Sequence, residues 1–190
     1  MLTSQIALKE WAVVVEALGC GEQLILLRKG GLRDPKGAFQ LQHREFLLFP
    51  TWEHQKEGCE RNIRPDMRQK YHDILSPPAP ASVRLCIYGG VAHVAEIRDP
   101  EQLKGLEKYH IWTPDFFIDR MRYRPQAATV VVVLRVFKLP VAVLHPVKPE
   151  YLGCKSWVPL ASEISIEGSQ PVVENQRFRS ALEEISSRLG

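Results

Sequence analysis

The chain has 190 residues, of which 45% are hydrophobic and 25% charged, and its formal net charge is +3. These values are typical of a globular domain that buries one core, and they predict a chain that folds on its own. No apolar run approaches the roughly 20 residues that cross a bilayer, and residues 1–16 lack a secretion-signal pattern, so we expect a cytoplasmic protein without membrane contact.

The first quarter of the chain predicts one helix and two strands. Apolar residues at helical spacing favour an amphipathic helix over residues 4–18. A hairpin in which Val13–Val15 pairs with Gln23–Lys29 is the alternative. The short apolar run Leu24–Leu27 indicates a buried strand, and the pattern of Phe39–Phe49 indicates a second one.

The middle of the chain contains a proline-rich segment between a helix and a hairpin. Spacing over residues 65–74 predicts a short helix that ends before the stiff connector 76–82, the best candidate for an internal boundary in an otherwise single domain, 1–190. Beyond it, alternating residues over 83–88 and 91–97 flank two glycines, which predicts a hairpin.

The C-terminal half predicts further helices and strands. Asp99 and Thr113 each precede a proline and therefore predict helix starts. Val130–Phe137 predicts a central strand buried on both faces, whereas Val141–Leu144, between prolines, predicts a short edge strand. An amphipathic helix should end the chain. Together the elements predict an α+β fold: a mixed, mostly antiparallel β-sheet or partial barrel with helices packed on it.

Three segments of the chain resemble a bacterial family catalogued as domain of unknown function 1802. They are RKGGLRDPKGAFQLQHREFLLFPTWEHQ at Arg28–Gln55, HIWTPDFFIDRMRYRP at His110–Pro125 and YLGCKSWVPL at Tyr151–Leu160. This family has no assigned activity, so the resemblance implies no reaction. Residues 83–97 and the valine strand also look somewhat like PUA-like modules, which bind RNA or modified bases. The beginning of the chain looks somewhat like the PD-(D/E)xK nuclease group.

A basic, glycine-rich segment follows the first predicted strand. Its residues are Arg28, Lys29, Gly30 and Gly31. Glycines let backbone N–H groups approach an anion, and the basic side chains add positive charge, so the segment is a candidate phosphate-binding loop. The alternative is an ordinary basic turn between two strands.

A second basic segment lies beside aromatic residues. Its candidate ligand-binding residues are Trp112, Arg120, Arg122, Tyr123 and Arg124. Guanidinium groups bind phosphates and aromatic rings stack on bases, which makes this a candidate nucleic-acid surface. The alternative is a helix end whose arginines complement the helix dipole and solvate one face.

Acidic residues on either side of the second strand form a candidate catalytic site. Glu45 and Glu53 are candidate ligands for Mg²⁺ or Mn²⁺, with His54 beside them and Lys29 as a group that stabilises the transition state. Gln55 stands where a nuclease of this type would carry lysine. The alternative is a structural role in which Glu45 pairs across strands.

These patterns rank three functions. A module that binds RNA, DNA or a nucleotide through arginine-rich loops comes first. A metal-dependent phosphodiesterase or nuclease-like enzyme using Glu45 and Glu53 is the alternative, so whether the protein is an enzyme stays open. The third is a non-catalytic module that contacts a protein partner through the acidic C-terminal helix and an edge strand near Pro140.

Overall fold

The computed structural model describes residues 2–29, 39–53, 55, 59–75, 81–123, 125–153 and 155–190. The strands are β1 (Thr3–Trp11), β2 (Ile25–Arg28), β3 (Glu45–Thr51), β4 (Ser82–Ile97), β5 (Thr129–Pro146), β6 (Trp157–Ser165) and β7 (Gln170–Pro171). The α-helices are α1 (Ala12–Gly19), α2 (Cys59–Asn62), α3 (Arg68–Leu75), α4 (Pro114–Arg122) and α5 (Asn175–Leu189). Short 3-10 turns occupy Pro100–Leu103, Glu107–Tyr109 and Pro149–Tyr151.

The strands form one mixed sheet in the order β2-β5-β4-β3-β1-β6, with β7 paired to β5. β1 and β3 are parallel, and the other pairs of described strands are antiparallel. The predicted α+β class with a mostly antiparallel sheet is confirmed, and the described strands leave the sheet open at β2 and β6. Strands from both sides of the connector 76–82 join this sheet, although residues 76–80 lie outside the described part.

The predicted helix over residues 4–18 is wrong in its first half. β1 lies between β3 and β6, and its neighbours Ala7 and Leu8 are buried against opposite faces of the sheet. A strand buried on both faces carries apolar residues at adjacent positions, which over a short stretch resembles helical spacing. The helix begins only at Ala12, and because it contains Val13–Val15 the alternative hairpin is wrong too.

The predicted hairpin at Gly89-Gly90 is also wrong, because β4 continues through both glycines and pairs with β5 on either side of them. A Cβ atom on Gly89 would lie 3.3 Å from Cδ2 of Leu48, so glycine here permits close packing on β3 and forms no turn.

Val141–Leu144 is not a separate edge strand, since it is the end of β5 and Leu144 pairs with Arg84 of β4.

The other elements agree with their predictions in kind. β2, α3, α4 and α5 lie where strands and helices are expected, and Val131–Leu134 of β5 are buried within the sheet. The helix start at Asp99 is a capped 3-10 turn, whereas the strand expected over Phe39–Phe49 begins only at Glu45. None of the described helices is both long and apolar enough to span a bilayer.

Candidate functional site

A pocket of about 370 Å³ lies at one edge of the sheet, within the size range of small-ligand sites. β1 and β3 run parallel, so their carboxyl ends, at Trp11 and Thr51, meet at this edge. β2, α4 and the turn before β6 complete the wall. The lining residues are Lys9, Glu10, Trp11, Val14, Gln23, Leu26, Leu27, Arg28, Thr51, Glu53, Trp112, Phe116, Arg120, Tyr123, Gly153, Lys155 and Ser156.

Arg28 is held in the pocket wall by three oxygen atoms. Its Nη1 donates to Oε2 of Glu10 at 2.8 Å and to the carbonyl oxygen of Lys9 at 3.3 Å, and its Nη2 donates to Oγ of Ser156 at 2.9 Å. The side chains of Arg28 and Glu10 are both largely buried. Glu10 therefore compensates the charge of Arg28, and the guanidinium plane is fixed.

Lys9 ties the turn before β6 to β1. Its Nζ donates to Oε2 of Glu53 at 2.6 Å and to the carbonyl oxygens of Tyr151 and Gly153, each at 2.7 Å. Oε1 of Glu53 accepts from the backbone N–H of Gly153 at 2.9 Å. This network places Ser156, a short step along the same turn, where it meets Arg28.

Arg120 is a cationic side chain to which these networks provide no ion pair among the described residues. α4 begins at Pro114, whose fixed φ suits the first helical position. Phe116 is buried, and Arg120 lies one turn later on the same helical face, which directs it into the pocket. Its Nε is enclosed, and no hydrogen-bond partner for this atom exists among the described residues. Burial, and then the charge of Arg28, lower the pKa of the Arg120 guanidinium.

Four aromatic rings form the rest of the wall. Trp112 stacks on Phe116 with ring centroids 4.3 Å apart, and Trp11 packs edge-on against Trp112 at 5.6 Å. Trp112 is only 3% exposed, so it is an inner support, unlike the predicted stacking platform. The more accessible rings belong to Trp11, which is half-buried, and Tyr123, which is 50% exposed.

The pocket brings together predicted ligand residues from two distant segments. Arg28, Trp112, Arg120 and Tyr123 all line it, whereas Arg122 is exposed outside it. Lys29 is buried, and its Nζ donates to the carbonyl oxygen of Met121. Burial, and then Arg120, lower the pKa of Lys29. The remaining predicted residues of this set, Gly30, Gly31 and Arg124, lie outside the described residues.

The structure does not bring Glu45 and Glu53 together. Glu45 begins β3 and Glu53 follows its end, and a strand of this length spans roughly 20 Å. Tyr88 faces Glu45, and its pKa is raised to about 12 by burial and by its hydrogen bond to that carboxylate. Within the described residues no group of three or more His, Cys, Asp and Glu could hold a metal ion. His54 lies outside them.

Gln55, at the position where a nuclease would carry lysine, has a structural role. Its Oε1 accepts from the backbone N–H of Val13 at 3.1 Å and so caps the start of α1. Its Nε2 donates to the carbonyl oxygens of Ile74 at 2.9 Å and Leu75 at 3.2 Å, at the end of α3. One buried amide thus joins two helix ends.

The family model described as domain of unknown function (DUF1802) matches residues 7–184. The chain belongs to this family. Two solved structures are similar to this DUF1802 chain, both of ASCH from Zymomonas mobilis. The first is 10% identical, covers 82% of this chain and 86% of that chain, and has a TM-score of 0.42. The second, a serine-to-alanine mutant, is 8% identical, covers 96% of this chain and 99% of that chain, and has a TM-score of 0.43. Likenesses this distant assign no ligand, and no curated protein matches.

Sequence reasoning missed the contribution of β1 to the pocket of this DUF1802 domain. The lining residues from this strand are Lys9, Glu10 and Trp11. The predicted helix over residues 4–18 would have distributed them around its surface. One signal was available, because adjacent lysine and glutamate inside an otherwise apolar run are rarely buried unless they are paired. Trp157 does not line the pocket and packs against Phe39, with ring centroids 6.3 Å apart.

Proposed function

We propose that this DUF1802 domain binds RNA, DNA or a nucleotide in the pocket between β1, β2 and α4. The observation that carries the proposal is that Nε of Arg120 is buried and has no hydrogen-bonding partner among the described residues. A largely enclosed cation without a direct ion pair is unfavourable, and a bound anion removes that penalty. Phosphate suits the planar guanidinium group, which donates two parallel hydrogen bonds to its oxygens.

The rings beside Arg120 favour a nucleotide over inorganic phosphate. Trp11 and Tyr123 line the same pocket, and aromatic faces stack on bases of any sequence. Trp112 and Phe116 support Trp11 from below and restrict its orientation. A phosphate-binding group beside an accessible ring is the arrangement expected of a nucleotide site.

The rest of the wall is fixed before any ligand arrives. Arg28 is oriented by Glu10 and Ser156, and the turn that carries Ser156 is held by Lys9 and Glu53. A site whose groups are already held in place loses less conformational freedom on binding. This preorganisation favours recognition of a defined ligand group over loose electrostatic attraction.

The test is fluorescence anisotropy with labelled single-stranded RNA and DNA at low and moderate salt. Arg120→Gln should weaken binding about 10- to 100-fold, the effect of losing a charge-assisted hydrogen bond, and should reduce the salt slope by about one. Arg122→Gln, on the same helix but outside the pocket, is the matched control and should change affinity much less. Absence of binding to either nucleic acid, or equal losses in both variants, contradicts the proposal.

A further inference from the structure

The charges that line the pocket leave a small positive excess. Among the described lining residues, four side chains are cationic and two are anionic: Lys9, Arg28, Arg120 and Lys155, with Glu10 and Glu53. Two of the cations are compensated directly, because Lys9 pairs with Glu53 at 2.6 Å and Arg28 pairs with Glu10 at 2.8 Å. Both pairs are buried enough that solvent screens them little.

Lys155 lies at the rim. Its Nζ donates to the carbonyl oxygen of Glu150 at 2.6 Å in an exposed hydrogen bond, so its charge is screened by water. Arg120 therefore supplies the one enclosed positive charge among the described lining residues that no carboxylate contacts directly. A ligand that adds one negative charge brings these lining charges inside the pocket to neutrality, while Lys29, whose Nζ donates to the carbonyl oxygen of Met121, is buried outside the lining.

We infer that the pocket selects a single phosphodiester joined to a base, as found within a nucleic-acid strand, over free nucleoside di- and triphosphates. The inference rests on the proposed function and names its ligand class. A phosphodiester carries one negative charge, whereas a terminal phosphate carries about −1.5 to −2 at pH 7 and polyphosphates carry more. Each extra charge enters a space that already holds Glu10 and Glu53, and the remaining cation among the described lining residues is Lys155 at the rim.

The volume of the pocket further indicates that the nucleic-acid strand is unpaired where it binds. A cavity of about 370 Å³ is a small-ligand site, closed on several sides by β1, β2 and α4. A base enters such a space only after it leaves the helical stack, which is easiest in a single strand. The base then rests against Trp11 while its phosphodiester contacts Arg120.

The experiment is calorimetric titration of the full chain, in the presence of EDTA, with a dinucleoside monophosphate, AMP, ADP and ATP at matched ionic strength. The dinucleoside monophosphate should bind tightest, and affinity should fall at least about threefold to tenfold with each additional charge. Tighter binding of ATP or ADP than of the dinucleoside monophosphate overturns the charge argument and leaves nucleotide binding standing. If no member of the series binds, the proposed function fails and the inference fails with it.

A charge variant tests the same argument from the protein side. Glu10→Gln keeps an oxygen that can accept from the backbone N–H of Trp11 but removes the counter-charge of Arg28. ADP affinity relative to the dinucleoside monophosphate should rise about tenfold. Glu16 is exposed on α1 and does not line the pocket, so Glu16→Gln is the control. It should keep the natural chain's ratio of ADP affinity to dinucleoside monophosphate affinity. An unchanged ratio of the two affinities in folded Glu10→Gln contradicts the inference, and if that variant fails to fold, the ligand series on the natural chain decides.

Discussion

Lys9 Nζ lies 2.6 Å from Glu53 Oε2, and this ion pair joins the carboxyl ends of two parallel strands beside the pocket. Lys9 is 6% exposed and also donates to the carbonyl oxygens of Tyr151 and Gly153. Three separate parts of the chain therefore meet at one ammonium group. The shape of the pocket depends on this contact, because the tethered turn carries Ser156.

Lys9→Met should lower the free energy of unfolding by about 3–5 kcal/mol, because it removes the buried ammonium that pairs with Oε2 of Glu53 and donates to two carbonyl oxygens. Urea denaturation followed by circular dichroism measures the change. Lys104→Met is the control, since its ion pair with Glu101 is exposed on both sides and should leave the midpoint unchanged. A stable Lys9→Met variant would show that the turn is held by other contacts.

Arg120→Met should change stability in the opposite direction. Removing a guanidinium whose buried Nε has no hydrogen-bond partner among the described residues should raise the free energy of unfolding by about 1–3 kcal/mol in the absence of ligand. Arg122→Met, at an exposed position of the same helix, should stay within about 0.5 kcal/mol of the natural chain. A destabilised Arg120→Met would indicate that Arg120 serves the fold, contrary to our assignment.

His110 should make stability depend on pH. Burial, and then the charge of Arg64, lower the pKa of His110 from 6.5 to about 4. The unfolded chain takes up this proton near pH 6.5 and the folded chain only near pH 4, so stability is full above pH 6.5. It should fall by about 3 kcal/mol as pH drops from 6.5 to 4.

Urea denaturation across that pH range, on variants of two histidines, isolates this effect. His110→Asn retains an acceptor for the backbone N–H of Trp112 and should flatten the dependence. His72→Asn, at an exposed position on α3, should keep the full slope. If both variants keep it, other groups cause the pH dependence.

Gly89 and Gly90 should respond differently to the same substitution. A Cβ atom on Gly89 would lie 3.3 Å from Leu48 and 3.5 Å from Leu134, whereas the nearest atom to one on Gly90 is 4.0 Å away. Gly89→Val should therefore cost about 1–3 kcal/mol through overpacking. Gly90→Val should be tolerated, since valine favours strands. Equal destabilisation by both would point to a turn at this position.

The elements of the fold were largely predictable from local patterns, but their connections were not. Val130–Phe137 identifies a central strand because its apolar run is long and β-branched. Gly89-Gly90 has the composition of a turn, and only packing against Leu48 shows why a strand continues through it. At β1, apolar residues on both faces of the strand have a spacing that resembles that of a helix. Whether the segment forms a helix or a strand depends on neighbouring strands that the local sequence does not contain.

The candidate site was predictable only in part, because its geometry also depends on tertiary contacts that the local sequence does not contain. Arg28, Arg120 and Tyr123 were recognisable as ligand-binding residue types, and the fold places them in one pocket. That Glu10 compensates Arg28, while Arg120 has no such pair in the part of the chain that the structure describes, follows from tertiary contacts alone. The separation of Glu45 from Glu53 likewise depends on where β3 begins and ends.

The most direct test of the account is a crystal structure of the protein bound to a dinucleoside monophosphate. We predict a phosphodiester oxygen within about 3 Å of the Arg120 guanidinium, with one base against Trp11. A ligand bound at Arg122 or elsewhere on the surface, with Arg120 still lacking an anionic partner, would contradict the central claim.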